Sequence, residues 1–283
     1  MRQLGLFPLV YAASPLLTFA NYGAFQRFRR LTAALPLGPL RARFPRFLYK
    51  YLSPYAAASF SQATRLAVLT HHYQYLAARS NATFFSALAG QPVLWKHYHG
   101  ADEYAITLSY ALSVDYEGEL SLKLARNGTV LQVISFVLAP GAAIGLPTPQ
   151  VLLLTHVQGL VGLDELRNAT KALRDIAPAA LLVHAAFGLA LAWGIDSAVG
   201  VGTAEKAGTW VDRHFDYDGF WQITFKAERL AIANLFALDI PPMEKPLELI
   251  KRNHRARTLR KRQLKQQVRE QVTAYWHLHF GRS

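Results

Sequence analysis

The sequence predicts an α+β fold. Helices come first, an antiparallel β-meander follows and leads into a helix–strand unit, and a basic helix closes the chain. Three observations predict it. The apolar period changes from about 3.6 residues to 2 near residue 100. Asn127-Gly128, a pair suited to a two-residue hairpin turn, separates two apolar runs. After residue 150 an apolar strand, a glycine-containing turn, helical segments and a second apolar strand follow in order.

In residues 1–90, Pro36, Pro39, Pro45 and Pro54 cut the early part into short helices and loops. Residues 56–80 then read as a helix with Leu66, Leu69, Tyr73 and Leu76 on its buried face. Residues 92–98 are a candidate strand. In residues 104–114, Ile106, Leu108, Tyr110, Leu112 and Val114 alternate with small or polar residues, and Leu120, Leu122 and Leu124 repeat the pattern. The Asn-Gly turn joins that strand to residues 130–138, and a Pro/Gly-rich loop leads to an apolar strand over 151–157. Gln158–Gly162 reads as a glycine-containing turn. Residues 164–174 form a helix with acid at its start and base at its end, matching the helix dipole. Pro178 opens a second helix and Gly194 stops it. A buried strand over 195–201 follows, then an aromatic-rich stretch, then a basic helix over 246–276. The organisation expected is a helical region over 1–90, an α+β core over 91–245 and a basic C-terminal helix over 246–283, together one domain.

Of the 283 residues, 52% are hydrophobic and 17% charged, which supplies a core and excludes global disorder. Cysteine is absent, so disulfides, thiolate metal sites and cysteine nucleophiles are excluded. The net charge of +13 is concentrated at the ends: +8 over residues 1–60, −4 over 61–250 and +9 over 251–283. Basic ends of this kind meet an anionic partner. Pro8 and Pro15 interrupt the apolar start, which argues against a secretory signal, and the apolar run over 177–195 reads as a buried helix. The location expected is cytoplasmic, peripheral to the inner membrane. An anionic phospholipid surface is one partner for the basic tail. Nucleic acid is another, weakened by the absence of a helix-turn-helix, zinc-finger or RNP signature. Nothing in the sequence sets the oligomeric state.

Candidate chemistry concentrates after residue 150. Gln158, Gly159 and Gly162 lie where backbone amides can face a ligand phosphate. His156, at the strand end beside them, is placed for general-base work. Asp216, Tyr217 and Asp218, followed by Trp221, combine acid/base groups with an apolar wall in a loop after a strand. The competing account makes Asp218 a helix cap and Trp221 a core residue. His97 and His99 share one strand face without an indicated third ligand, so no metal site is assigned. His71 and His72 diverge on a helix, and His184 reads as a core histidine.

The order of elements and the Gln158–Gly162 turn resemble the acetyltransferase fold. That resemblance implies an acyl-CoA bound through its pyrophosphate at the turn, with a small-molecule acyl donor as partner. Only Gln158, Gly159 and Gly162 match its glycine pattern, and a second helix intervenes before the next strand.

Several segments together resemble the VirK/YbjX family of bacterial proteins. They are His71-His72-Tyr73, Val157-Gln158-Gly159, Ala169-Thr170-Lys171, Ala192-Trp193-Gly194-Ile195, Asp216-Tyr217-Asp218-Gly219-Phe220-Trp221 and the tail from Lys251 to Arg262. They run in the family's order across about residues 45–270. Asp175-Ile176-Ala177-Pro178 departs from the His-Gly-Leu-Arg-Pro type of segment expected there, and residues 202–209 lack an expected histidine. The resemblance implies a link to virulence, the cell envelope and envelope stress, without a defined reaction. Two function classes follow: an acyl-CoA-dependent acyltransferase-like enzyme, and a non-enzymatic accessory protein that binds a membrane surface or partner through its basic ends.

Overall fold

The structure, a computed structural model, describes residues 21–111, 117–207 and 215–282. The apolar start of the chain, the strand positions Leu112 and Val114, and the loop residues Asp212 and His214 lie outside the described residues.

Among the described residues, four helices precede the sheet: α1 (Tyr22–Ala33), α2 (Gly38–Arg43), α3 (Gln62–Arg79) and the single turn α4 (Phe84–Ala87). The sequence places the start of α3 at residue 56. The structure starts it at Gln62, because Ala56 has φ 62° and Ser61 accepts the Thr64 amide at 3.1 Å as N-cap. Leu66, Leu69, Tyr73 and Leu76 are buried as the period predicts. Phe28, Phe47 and Tyr73 pack their rings in tilted and edge-on contacts between α1, a short 3₁₀ turn (Phe47–Leu52) and α3.

The meander consists of β1 (Val93–His99), β2 (Asp102–Tyr110), β3 (Leu120–Arg126), β4 (Thr129–Pro140) and β5 (Gln150–Gly159), each antiparallel to the next. Asn127 (φ 50°) and Gly128 (φ 81°) form the β3–β4 turn with both residues at positive φ, as Asn-Gly favours. The Asn127 side chain also donates to Asp102 at 2.6 Å and accepts from the Glu103 amide at 2.8 Å, tying this turn to the first hairpin.

Then follow α5 (Leu163–Ala172), α6 (Pro178–Ala192), β6 (Ser197–Val201), β7 (Glu228–Arg229), β8 (Leu235–Asp239) and α7 (Arg252–His279). The strands form one sheet in the order β1-β2-β3-β4-β5-β6-β8-β7. β6 joins β5 in parallel, pairing Leu152, Leu153 and Leu154 with Ala198, Val199 and Gly200. The 195–201 strand is therefore in the main sheet, beside the strand the sequence puts at 151–157.

Every residue of α6 from Pro178 to Ala190 is buried. The helix packs on β3, β4 and β5 and is covered by α7. Gly188 allows that cover: a Cβ there would lie 2.6 Å from the Arg269 carbonyl oxygen. At about 1.5 Å per residue, α6 is also too short for a bilayer core of about 30 Å. No helix among the described residues is long and apolar enough to cross a membrane. In α7, Leu264, Val268, Val272 and Trp276 form the buried stripe, and Trp276 meets Trp193 edge-on. This helix begins at Arg252, six residues later than the sequence suggests. Before it, Leu247–Leu249 is a 3₁₀ turn whose Glu248 carbonyl, with that of Ile250, accepts from the Arg255 guanidinium.

Candidate functional site

The glycine turn is shorter than its sequence suggests. β4 is twelve residues long and holds its partner to the end, pairing Val133 with Gln158 and Gln132 with Gly159. Gln158 and Gly159 are thus strand residues, and only Leu160–Gly162 turn. Gly162 is the N-cap of α5 and is exposed. The first turn of α5 carries Asp164 and Glu165, which complement the helix dipole and repel a further anion there. Beside Gly159, the buried Gln132 side chain leaves its amide nitrogen without a hydrogen-bond partner.

β5 outruns β6. The parallel register ends at Leu154 and Gly200, and the β4–β5 register shifts at the same place, leaving Thr155 as the extra residue. Thr155 Oγ1 donates to the carbonyls of Glu117 and Ser135, the latter at 3.0 Å. His156 follows, buried. Its Nδ1 is in ion-pair contact with the carboxylate of Glu117, and its Nε2 lies 3.3 Å from the Gln158 side-chain oxygen. The arrangement is a histidine oriented by a buried carboxylate, which is how a general base is held in place.

Beyond the end of β6, the free edge of β5 is taken by Tyr217. Its hydroxyl donates to the Val157 carbonyl at 2.9 Å and accepts from the Val157 amide at 3.1 Å, standing where a neighbouring strand would. Tyr217 and Trp221 are fully buried, and the Trp221 indole N–H donates to the Val201 carbonyl at 2.9 Å. The helical turn here begins at Tyr217, so its cap is Asp216, which accepts the Gly219 amide at 2.9 Å, and not Asp218. Asp218 instead accepts from the Thr203 amide at 2.8 Å and the Asn234 side chain at 3.1 Å. Burial pushes its carboxyl up, but these hydrogen bonds prevail and hold it below the usual carboxylate range. The structure brings His156, Gln158 and Tyr217 together along the end of β5, and directs the carboxylates of Asp216 and Asp218 to the local backbone and Asn234.

A second buried polar cluster has no counterpart in the sequence reading. Glu119 accepts from Lys50 Nζ at 2.7 Å, from the Tyr55 hydroxyl at 2.8 Å and from the Tyr73 hydroxyl. Burial first, and then the Glu119 charge, raises both tyrosines well above the ordinary phenol value. Gly118, between the two glutamates, has φ 145°, and a Cβ there would lie 3.0 Å from the Phe136 backbone. The signal that could have found the pair is Glu117-Gly-Glu119 at the head of an apolar strand: two carboxylates entering a core must each find a partner.

The remaining histidines have local roles. His72 is buried and accepts the Leu138 amide at 3.1 Å, and His184 faces the Arg269 guanidinium at 3.0 Å. Burial depresses both, His72 to about 3. His97 stacks on Trp95. Among the described residues no cluster of three or more metal-ligating side chains occurs. A cavity of about 320 Å³ lies elsewhere, at the opposite end of β6, lined by residues such as Thr148, Ser197, Lys226 and Asp239. None of the candidate residues lines it.

Residues 9–274 match a family model described as "Protein of unknown function (DUF535)". The chain belongs to this family. It is also 26% identical over 201 residues to "Uncharacterized protein YbjX" of Escherichia coli (strain K12), covering 66% of this chain and 59% of that protein. Both findings agree with the VirK/YbjX resemblance read from the sequence. The match thus spans less than two thirds of the YbjX chain. No solved structure matches.

Proposed function

We propose that this VirK/YbjX-family chain is an acyltransferase-like enzyme that takes an acyl-CoA-class thioester where β5 and β6 part. The observation that carries the reading is the His156–Glu117 pair, buried beside the bulge at which the parallel strands separate. In parallel sheets ligands bind in the crevice beyond the carboxyl ends of the strands, and β5 and β6 are the one parallel pair in this sheet among the described residues. In this reading His156, oriented by Glu117, takes the proton of an acceptor nucleophile. Gln158, Gly159 and the Leu160–Gly162 backbone hold the donor. The donor would supply the activated acyl group: the acceptor–acyl bond forms as the thioester C–S bond breaks, and the CoA thiolate leaves with the proton that His156 had taken.

The residues partly suit such a ligand. The unpartnered Gln132 amide beside Gly159 offers a buried donor, and Tyr217 occupies a ladder position that a ligand amide could take. Asp164 and Glu165 oppose a pyrophosphate at the helix N-terminus, so the phosphates would sit on the Leu160–Gly162 backbone rather than on the axis of α5. The association with envelope and virulence functions implied by the resemblance fits an acceptor among envelope components, modified at the inner face of the membrane.

The test is thermal unfolding with CoA thioesters of graded chain length. A thioester at 100 times its dissociation constant stabilises by about 2.7 kcal/mol. Gly162→Asp, at a position with open space around it, should abolish that stabilisation without altering the ligand-free melt. His156→Gln should leave binding and remove transfer. No stabilisation by any thioester, or the same stabilisation in Gly162→Asp, overturns the reading.

A further inference from the structure

The arm ahead of the buried part of α7 carries an interaction surface independent of the acyl-transfer reading. From Met243 to Gln263 no residue is buried. The segment nevertheless has a defined shape. Arg262 pairs with Glu244 at 2.7 Å, and Arg255 donates to the carbonyls of Ile250 at 2.9 Å and Glu248 at 3.0 Å. Residues 244–250 therefore run back along the first turns of the helix. Arg257 fixes the arm to the body through Asp175 at 2.7 Å.

The composition of this arm is specific. It holds eight Lys/Arg against Glu244 and Glu248. Among these cations, Lys245, Lys251 and Arg252 are exposed and make no ion pair among the described residues. Arg252, Arg255, Leu259 and Arg262 recur at intervals of three and four and share a helix face, the face along which 244–250 returns. Three large apolar side chains project on this side: Met243 is 89% exposed, Leu249 65% and Leu259 43%. Cations around exposed apolar side chains on a projecting helix suit the boundary between lipid headgroups and acyl chains, where the apolar groups insert and the cations meet phosphates. Single-stranded nucleic acid is held by aromatic side chains that stack on bases, and residues 243–263 hold no Phe, Tyr or Trp.

We propose that the arm 243–263 docks the protein on an anionic phospholipid surface, inserting Met243, Leu249 and Leu259 between headgroups. The experiment is flotation of the full chain with vesicles of phosphatidylglycerol and phosphatidylcholine, or of phosphatidylcholine alone, at low and high salt. The expected result is binding to the anionic vesicles only, weakening with salt. Lys245→Gln/Lys251→Gln/Arg252→Gln should lower partitioning about 100-fold, at about fivefold per cation. Met243→Ser/Leu249→Ser/Leu259→Ser should lower it about tenfold or more with the charge unchanged. Neither triple replacement touches a buried residue, so circular dichroism and the melting curve should match the parent. Equal binding to neutral vesicles, an apolar triple variant that floats like the parent, or a nucleic-acid duplex that displaces the vesicles and binds the apolar variant undiminished, each overturns the proposal.

Discussion

Replacing Glu119 tests whether the polar cluster under the N-terminal helices holds the fold together. Its carboxylate accepts from Lys50, Tyr55 and Tyr73, and the Lys50 and Glu119 side chains are 10% and 2% exposed. Glu119→Ala strands a nearly buried ammonium, for which breaking a buried pair costs about 3–5 kcal/mol. It also leaves two buried hydroxyls without their acceptor, at about 1 kcal/mol or more each. The sum approaches the whole stability of an ordinary domain, about 5–15 kcal/mol, so the variant should be largely unfolded or recovered in low yield.

The informative measurement is a double-mutant cycle by urea denaturation. Glu119→Gln keeps an acceptor for the tyrosines but leaves Lys50 charged and unpaired, and should cost about 3 kcal/mol. Lys50→Met alone leaves a buried carboxylate held by two phenols and should cost a similar amount. The double variant removes both charges and retains an amide oxygen for the hydroxyls. It should return to within about 1 kcal/mol of the parent, a coupling well above the error of the method. Additive single-variant costs, or Glu119→Ala within about 1 kcal/mol of the parent, would refute the reasoning.

Three further outcomes follow from the packing and hydrogen bonds. His72, depressed to about 3 when folded, binds a proton more readily in the unfolded chain; its contribution is therefore present above its ordinary value of 6.5 and is lost as pH falls from there toward 3, by up to about 5 kcal/mol. His72→Asn, which keeps an acceptor for the Leu138 amide, should flatten that part of the stability–pH curve. Gly188→Ala drives a methyl against the Arg269 carbonyl and should cost about 1–3 kcal/mol in chemical denaturation, by forcing α6 and α7 apart. Asp216→Ala should cost about 0.5–2 kcal/mol as the loss of a cap, whereas Asp218→Ala should expose the 203–205 turn to faster amide exchange.

The architecture was legible because its signals are local. Alternation fixed β2 and β3, Asn127-Gly128 fixed the turn between β3 and β4, and the spacing of Leu66, Leu69, Tyr73 and Leu76 fixed the buried face of α3. Boundaries failed where one side chain decides: Ser61 starts α3 late, and β5 continues through Gln158 and Gly159 because β4 offers it partners. Of the candidate site, the sequence singled out His156 and Tyr217 separately, and the parallel pairing of β5 with β6 is what brings Tyr217 to the backbone of Val157, next to His156. Glu117 and Glu119 were not singled out, since their partners His156, Lys50, Tyr55 and Tyr73 lie 39 to 69 residues away. No local period encodes a contact of that range. The Asp216 and Asp218 roles were exchanged for a related reason: which of two nearby carboxylates caps depends on where the turn begins, and that is set by Tyr217 reaching Val157.

Gly118 links the two buried carboxylate sites. Its φ of 145° is reserved for glycine, and a Cβ there would crowd the Phe136 backbone at 3.0 Å and the Thr155 hydroxyl at 3.1 Å. On one side of it Glu117 reaches the His156 imidazole at the bulge of β5; on the other Glu119 reaches the cluster that anchors α3 and the 47–55 segment. A shift of Gly118 therefore moves both carboxylates together. Gly118→Ala should then do more than lower stability. Under the acyl-transfer reading it should displace Glu117 from His156 and reduce transfer even in the fraction that remains folded. Glu119→Gln paired with Lys50→Met keeps glycine at residue 118, losing there only the long hydrogen bond from Lys50 Nζ to the Gly118 carbonyl at 3.4 Å, and should keep transfer near the parent rate. Measuring both variants per mole of folded protein separates the two sites: equal losses in both would mean that His156 depends on the whole cluster rather than on the backbone conformation at residue 118.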